Sequence, residues 1–212
     1  TRKEWKLEPG KYIAILSHSG SRGLGAHIAK HHTTMASKQT PLPKQVQHLA
    51  WLDLNTHDGI EYWNAMNLAC DYAKACHDDI HRRIAKALGH RIVFNIENHH
   101  NFAWKELHQG KEVIVHRKGA TPAGKGVLGI IPGSMTAPGF IVEGLGNEAS
   151  LESASHGAGR KFSRAKAKSK FTQSEIKQVL KNHGVQLLGG NVDEAPMAYK
   201  DIHKVMKCQE EL

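Results

Sequence analysis

The sequence predicts a mixed α/β protein of the α+β class. Three observations carry that reading. Residues 57–88 hold the broad apolar face of one long helix. Short apolar runs further along are broken by glycine and proline, as strands are. The two patterns do not alternate as β-α-β units, so a parallel doubly wound sheet is not expected. A chain of 212 residues is long enough for one real core. No repeat or low-complexity stretch divides it. Residues 1–212 therefore read as one compact unit with no separate second domain.

Tyr12 to Leu16 is an apolar run that predicts a strand. It feeds a glycine-rich turn, His18-Ser19-Gly20-Ser21-Arg22-Gly23-Leu24-Gly25, and a helix is expected over about residues 25–38. Thr40 to Pro43 is a proline-marked loop. In the long helix, Ile60, Trp63, Met66, Leu68, Cys70, Ala73, Ile80, Ile84 and Leu88 supply the apolar face. Arg91 to Ile96 reads as a buried strand ending at Glu97-Asn98-His99-His100-Asn101-Phe102. Residues 113–115, 127–131 and 140–142 are further short strands. Thr172-Gln173-Ser174-Glu175 has capping-box spacing and opens a helix to about Asn182, stopped by Gly184. Leu187-Leu188 reads as a brief strand, and a last helix is expected from about Ala198 to Lys207.

The formal charge is +9, which favours a polyanionic partner such as nucleic acid or a nucleotide. Cys70, Cys76 and Cys208 have no framework spacing and fit free thiols in a reducing compartment. No window is apolar and long enough to span a membrane, and no leader pattern is present. The chain opens on Thr1 rather than methionine, so it is expected to be processed or a piece of something larger.

Histidine is the compositional outlier, with 16 residues, which raises the prior for metal chemistry. His18 and His100 fall at expected strand ends, and His156 opens Gly157-Ala158-Gly159-Arg160, which reads as leading into a helix with Lys161, Arg164, Lys166, Lys168 and Lys170. Glycines let backbone approach a ligand, and imidazole either ligates a metal or attacks phosphorus. Any one of these histidines alone reads as a structural, hydrogen-bonded group; three in one setting favour a site. Ile131-Pro132-Gly133-Ser134-Met135 is a second loop of the same kind, and an ordinary turn when taken alone. Arg22, Arg117, Lys118, Arg160 and Arg164 form an anionic-substrate channel if they converge, and a solvated surface if they do not.

The order of these motifs resembles the RtcB-type RNA ligases: His18 to Gly23, His99-His100-Asn101, His116 to Thr121, Pro132 to Met135, Ser155 to Arg160 and Ala198-Tyr199-Lys200. The resemblance covers nearly the whole chain, as a C-terminal portion of a compact RtcB-like fold. It implies a cytoplasmic enzyme of tRNA splicing or RNA repair. Such an enzyme joins RNA 3′-phosphate or 2′,3′-cyclic phosphate ends to 5′-hydroxyl ends, using GTP and Mn²⁺. His156 matches the nucleophile that carries GMP covalently. His18 and His100 match metal ligands. His100, Asn101, Pro132, Gly133, Ser134, Met135, His156, Gly157, Ala158 and Gly159 match nucleotide-contacting positions, with Tyr199 against the guanine. The five cations then line an RNA path, broken or spliced tRNA-like ends are the partner, no membrane is involved, and a requirement for an activating protein is left open. His99 is expected to support the site rather than ligate.

Several departures from the pattern stand beside it. An aspartate–cysteine pair and a Gly-Asn-His segment, expected to complete the metal site, are not found in this sequence. The chain stops at Glu210-Glu211-Leu212 where a lysine-glycine tail is usual. Thr136 stands where glycine is usual, and Gly139 where a nucleotide-contacting serine is expected. Two further readings therefore remain: a non-catalytic RNA- or nucleotide-binding remnant, and a histidine-dependent phosphotransferase.

Overall fold

The structure, a computed structural model, describes residues 8–212. Its contacts divide the chain into two compact units, up to Asn95 and from Ile96 onward. Helices and small antiparallel sheets are both present, as the α+β reading expects.

The first unit is built on two helices, α1 (Arg22–Gln39) and α2 (His57–Ala87). The Thr56 side chain caps α2 by accepting from Gly59 N at 3.2 Å. Leu88 ends the helix, and Gly89 follows at φ 70° in the left-handed conformation that glycine tolerates. The sequence located both helices to within a few residues. The apolar face of α2 is less buried than its pattern suggests: Ile60, Leu68, Ile84 and Leu88 are all exposed. Among the described residues of this unit, the buried apolar side chains are alanines, namely Ala36, Ala69 and Ala85.

Neither Tyr12–Leu16 nor Arg91–Ile96 forms a strand. Both runs are apolar, but a strand exists only where a second segment takes its backbone hydrogen bonds, and neither run pairs in a sheet. Ile13 and Val93 stand well exposed.

The second unit carries three two-stranded antiparallel sheets. β1 (Asn101–His108) pairs with β2 (Lys111–Lys118) from Asn101↔Lys118 to His108↔Lys111. Gln109 at φ 50° and Gly110 at φ 75° turn this hairpin tightly, matching the right-handed strand twist. β3 (Ala120–Pro122) pairs with β6 (Ser153–Ser155), and β4 (Leu128–Ile131) with β5 (Phe140–Glu143).

Three helices follow: α3 (Arg164–Lys170), α4 (Gln173–Asn182) and α5 (Ile202–Lys207). The expected capping box opens α4, with Thr172 and Glu175 bonding reciprocally. The last helix starts four residues later than expected, because Pro196–Ala198 forms a separate 3₁₀ turn and Asp201 caps the helix proper. Leu187-Leu188 is a loop rather than a strand, with Leu188 almost wholly in solvent.

Two apolar clusters hold this unit. Ile131, Ala158 and Ile202 pack with Phe140, Val142 and Val205. Ile176, Leu180 and Ala195 pack with Met135, Phe171 and Met197. Each cluster takes residues from the loops singled out by sequence, so burial fixes those loops.

Candidate active site

Gly119 joins β2 to β3 and ties the two central histidines together. Its N–H donates to the His100 carbonyl at 3.0 Å, and its own carbonyl accepts from His156 N at 3.3 Å. Its φ of 74° lies in the left-handed region, and a Cβ there would stand 3.6 Å from His156 Cε1. Backbone pairing and this close approach bring the imidazoles of His100 and His156 side by side, with centroids 4.6 Å apart and planes tilted by 33°. Asn101, next to His100, opens β1. The His99 ring sits 6.2 Å from that of Phe102.

The loop that starts at His156 is folded against the Pro132 loop. Ala158 N donates to the Pro132 carbonyl at 3.3 Å, and a Cβ on Gly157 would come within 3.2 Å of the same oxygen. At Gly133 a Cβ would lie 2.5 Å from the Pro138 carbonyl, so no side chain fits. Lys200 N donates to the Gly159 carbonyl at 3.0 Å, and Lys161 N to that of Ala198 at 2.7 Å. The segments containing Pro132, His156 and Tyr199 thus meet. Gly133, Ser134, Met135 and Tyr199, together with Leu187, Gly189, Gly190 and Glu194, line a cleft of about 300 Å³, at the small end for a ligand site. Sequence reasoning missed Leu187, Gly189, Gly190 and Glu194. Only the glycine pair carried a local signal. The expected helix does not start at His156: α3 begins at Arg164 with Ser163 as its cap.

The cations divide by environment. Arg117 is 3% exposed. Its guanidinium donates to both oxygens of Glu106 at 2.6 and 2.9 Å, to Ser153 Oγ at 2.8 Å and to the Leu151 carbonyl at 2.9 Å, and it lies 4.9 Å from the Trp104 ring centroid. This corrects the channel reading for Arg117, because a guanidinium enclosed in that way has no face left for a phosphate. Lys118, the next residue on the alternating strand, is exposed.

Arg160 stacks on Tyr199 at 4.9 Å and donates to its hydroxyl at 3.1 Å, to Phe162 O at 3.1 Å and to the Asp193 carbonyl. It also pairs with Glu194 at 3.4 Å. Arg164 pairs with Asp193 at 2.6 Å and with Glu194, while its side chain stays 65% exposed.

Titration follows these contacts. Burial alone would push the Glu194 carboxyl up, but hydrogen bonds from Tyr199 and Arg164 and the nearby arginine charges hold it below the usual range. Burial, reinforced by the Glu194 hydrogen bond, raises the Tyr199 phenol. The Arg164 hydrogen bond is the leading cause that lowers Asp193.

His18 and Arg22 belong to the first unit. His18 lies on irregular chain rather than at a strand end, and Arg22 is exposed as the first residue of α1, at φ 55°. Among the described residues, the groups of three side chains close enough to share a metal ion are His31-His32-Glu61 and His57-Asp58-Glu61. Neither contains His18 or His100.

The second unit thus holds a glycine-supported histidine pair whose loop packs against the Pro132 loop, itself part of the cleft lining. The sequence comparisons give the particular family. Residues 1–212 match the family model described as tRNA-splicing ligase RtcB, and the chain belongs to that family. It is 37% identical over 222 residues to the RNA-splicing ligase RtcB of Escherichia coli K12, covering 97% of this chain and 54% of that protein. Identity to the tRNA-splicing ligase RtcB of Nanoarchaeum equitans is 32%, over 94% of this chain and 49% of the relative. For that of Methanococcus maripaludis it is 30%, over 91% and 48%. The chain spans about half the length of these curated relatives.

Proposed function

We propose that this chain forms part of a GTP- and Mn²⁺-dependent RNA ligase in which His156 is the guanylyl acceptor. The single observation that carries the reading is the placement of His156 against Gly119 and beside His100. This is a fixed imidazole in a family of RNA ligases. A neutral imidazole nitrogen of His156 forms a bond to the α-phosphorus of GTP as the bond to pyrophosphate breaks. The guanylyl group then passes to an RNA 3′-phosphate, and a 5′-hydroxyl oxygen attacks that phosphorus as GMP leaves.

The residues present fit the nucleotide. Gly157 and Gly159 keep the backbone of the loop open beside His156, and Tyr199 with Ser134 and Met135 lines the adjoining cleft. His100, Asn101, Pro132, Gly133 and Ala158 complete the nucleotide-contacting set. Imidazole nitrogens ligate divalent transition ions, and manganese also takes oxygen donors such as carboxylates and water. The family resemblance assigns His18 and His100 to the ion, which would neutralise phosphate charge as a Lewis acid when bound. Arg22, Lys118, Arg160 and Arg164 remain the cations for RNA phosphates. The whole chain acts as one catalytic portion, in the cytoplasm, on broken or spliced tRNA-like ends.

The test incubates the protein with α-labelled GTP and Mn²⁺ and scores an acid-labile, hydroxylamine-resistant protein–GMP bond. Wild type is expected to label and His156→Ala to remain blank. Equal labelling of both refutes the assignment of His156, and absence of labelling in both favours a nucleotide- or RNA-binding role without catalysis.

A further inference from the structure

The first unit contains a buried polar group that the ligase reading does not use. His32 in α1 is 5% exposed. Its Nδ1 lies 3.0 Å from the Ile28 carbonyl, which can only accept, so Nδ1 carries the proton and Nε2 keeps the lone pair. Among the described residues Nε2 has no hydrogen-bond partner, although it is removed from solvent. An orphaned acceptor in that position is costly unless something binds it. A backbone carbonyl holding one ring nitrogen while the other faces outward is the arrangement found behind metal-bound histidines.

Two further donors lie close to His32. A ring nitrogen of His31, Nε2 or Nδ1 of His32 and a carboxylate oxygen of Glu61 in α2 lie within 4.8 Å of one another. A tetrahedral zinc site needs donor atoms roughly 3.4 Å apart, given bonds of about 2.1 Å. His31 and Glu61 are exposed and free to rotate by the difference, whereas His32 is held by its Ile28 bond and by the Tyr62 ring 5.1 Å away.

We infer that His31, His32 and Glu61 form a binding site for a divalent transition cation of the zinc class, which clamps α1 to α2. Two imidazoles and one carboxylate are a zinc donor set, with a fourth position open to water. The clamp answers a local need. The buried apolar side chains described in this unit are alanines, and small cores of that kind gain from a metal staple. The neighbouring group His57-Asp58-Glu61 shares Glu61 but lacks a buried donor: the His57 side chain is 90% exposed.

The experiment is a Zn²⁺ titration of the metal-stripped 212-residue chain by calorimetry against a competing chelator, followed by melting curves. Wild type is expected to bind zinc and to melt at a higher temperature when loaded. Losing a carboxylate or imidazole that only orients a ligand already costs tenfold or more. His31→Ala and Glu61→Gln, both at exposed positions, are therefore each expected to weaken one site by roughly a hundredfold and to abolish the melting shift. His57→Ala and His156→Ala are expected to leave that site intact. Independently, the ¹⁵N resonance of His32 Nε2 is expected to move on zinc addition while Nδ1 stays protonated. The inference is overturned if wild type binds no zinc, if the double variant His31→Ala/Glu61→Gln binds as wild type does, or if His57→Ala alone removes the site.

Discussion

Replacing Arg117 distinguishes a structural cation from an RNA contact. On the hairpin face that carries Phe102, Trp104 and Glu106, the guanidinium reaches along the strand over Trp104 to Glu106. Four hydrogen bonds end there, two on the Glu106 carboxylate, one on the Leu151 carbonyl and one on Ser153 Oγ, each worth about 1.5–3 kcal/mol at most. Removing the guanidinium from water offsets much of that sum, so the pair adds little over an apolar substitute. Breaking only one side is different. Breaking a buried pair costs about 3–5 kcal/mol, and the 23% exposure of Glu106 lets its carboxylate rehydrate in part, which sets Arg117→Met near 3 kcal/mol. That is about a hundredfold in the folding constant.

Urea denaturation measures the loss directly. The double variant Arg117→Met/Glu106→Leu is expected to recover most of the stability, since an apolar pair leaves no uncompensated charge. Single-stranded RNA affinity measured against salt is expected to keep its slope in Arg117→Met. An unchanged urea midpoint in the single variant, together with a slope reduced by about 0.7, would refute the reasoning and return Arg117 to the RNA path.

Gly119→Ala places a Cβ at a left-handed φ, which costs about 1–2 kcal/mol, and lays it on the His156 ring. Guanylylation is expected to fall roughly ten- to hundredfold through misplacement of the imidazole, with RNA affinity retained; a normal labelling rate would argue against Gly119 as the residue that positions His156. Acid stability follows from Glu106, Glu194 and Asp193, whose carboxyls all titrate below their ordinary range in the folded chain. Their contribution is complete above the unfolded values near 4 and is lost as pH falls through the lower folded values. A Glu106→Gln/Asp193→Asn chain is expected to show a flatter acid limb in melting temperature against pH. Glu194→Gln keeps a hydrogen-bond acceptor for Tyr199 but removes the charge facing Arg160 and Arg164. It is expected to weaken GTP binding about tenfold while His156 still labels at saturating GTP, as rapid-quench labelling against GTP concentration would show.

The parts of this fold legible in sequence are those set by local chemistry. Thr172 and Glu175 form their box because the capping geometry lies within four residues, and α2 follows from a long 3.6-residue period that no distant contact has to complete. Tyr12–Leu16 and Arg91–Ile96 failed for the opposite reason. Apolar content says only that a run wants burial, while strand identity depends on a partner that composition does not name. β1 was missed because Gln109-Gly110 is a weaker turn signal than Asn-Gly and because its face mixes Phe102 and Trp104 with Glu106. The site shows the same division. The glycines around His156 suggested a close backbone approach, and Gly157 does lie against the Pro132 carbonyl, while Gly159 faces Lys200. The difference between Arg117 and Lys118 rests on strand parity and on a carboxylate eleven positions back. Neither is visible until the hairpin register is known.

The pairings of Arg160 and Arg164 also change what a basic sequence means in this protein. Net charge argues for a polyanion, yet both arginines already hold carboxylates: Asp193 and Glu194 from the 3₁₀ turn Val192–Glu194. That turn precedes Pro196–Ala198, whose end sets Tyr199 at the cleft. The two acids therefore couple the histidine loop, through Arg160, to the aromatic wall of the cleft and to the start of α3. A phosphate approaching Arg164 competes with Asp193 and Glu194 rather than meeting a bare cation. Its attraction is reduced by the existing pair but not abolished, because Arg164 remains largely exposed. Arg164 is thus a positioning group first. Any RNA path that uses it must trade one anion for another at the edge of the cleft where Tyr199 and Glu194 stand.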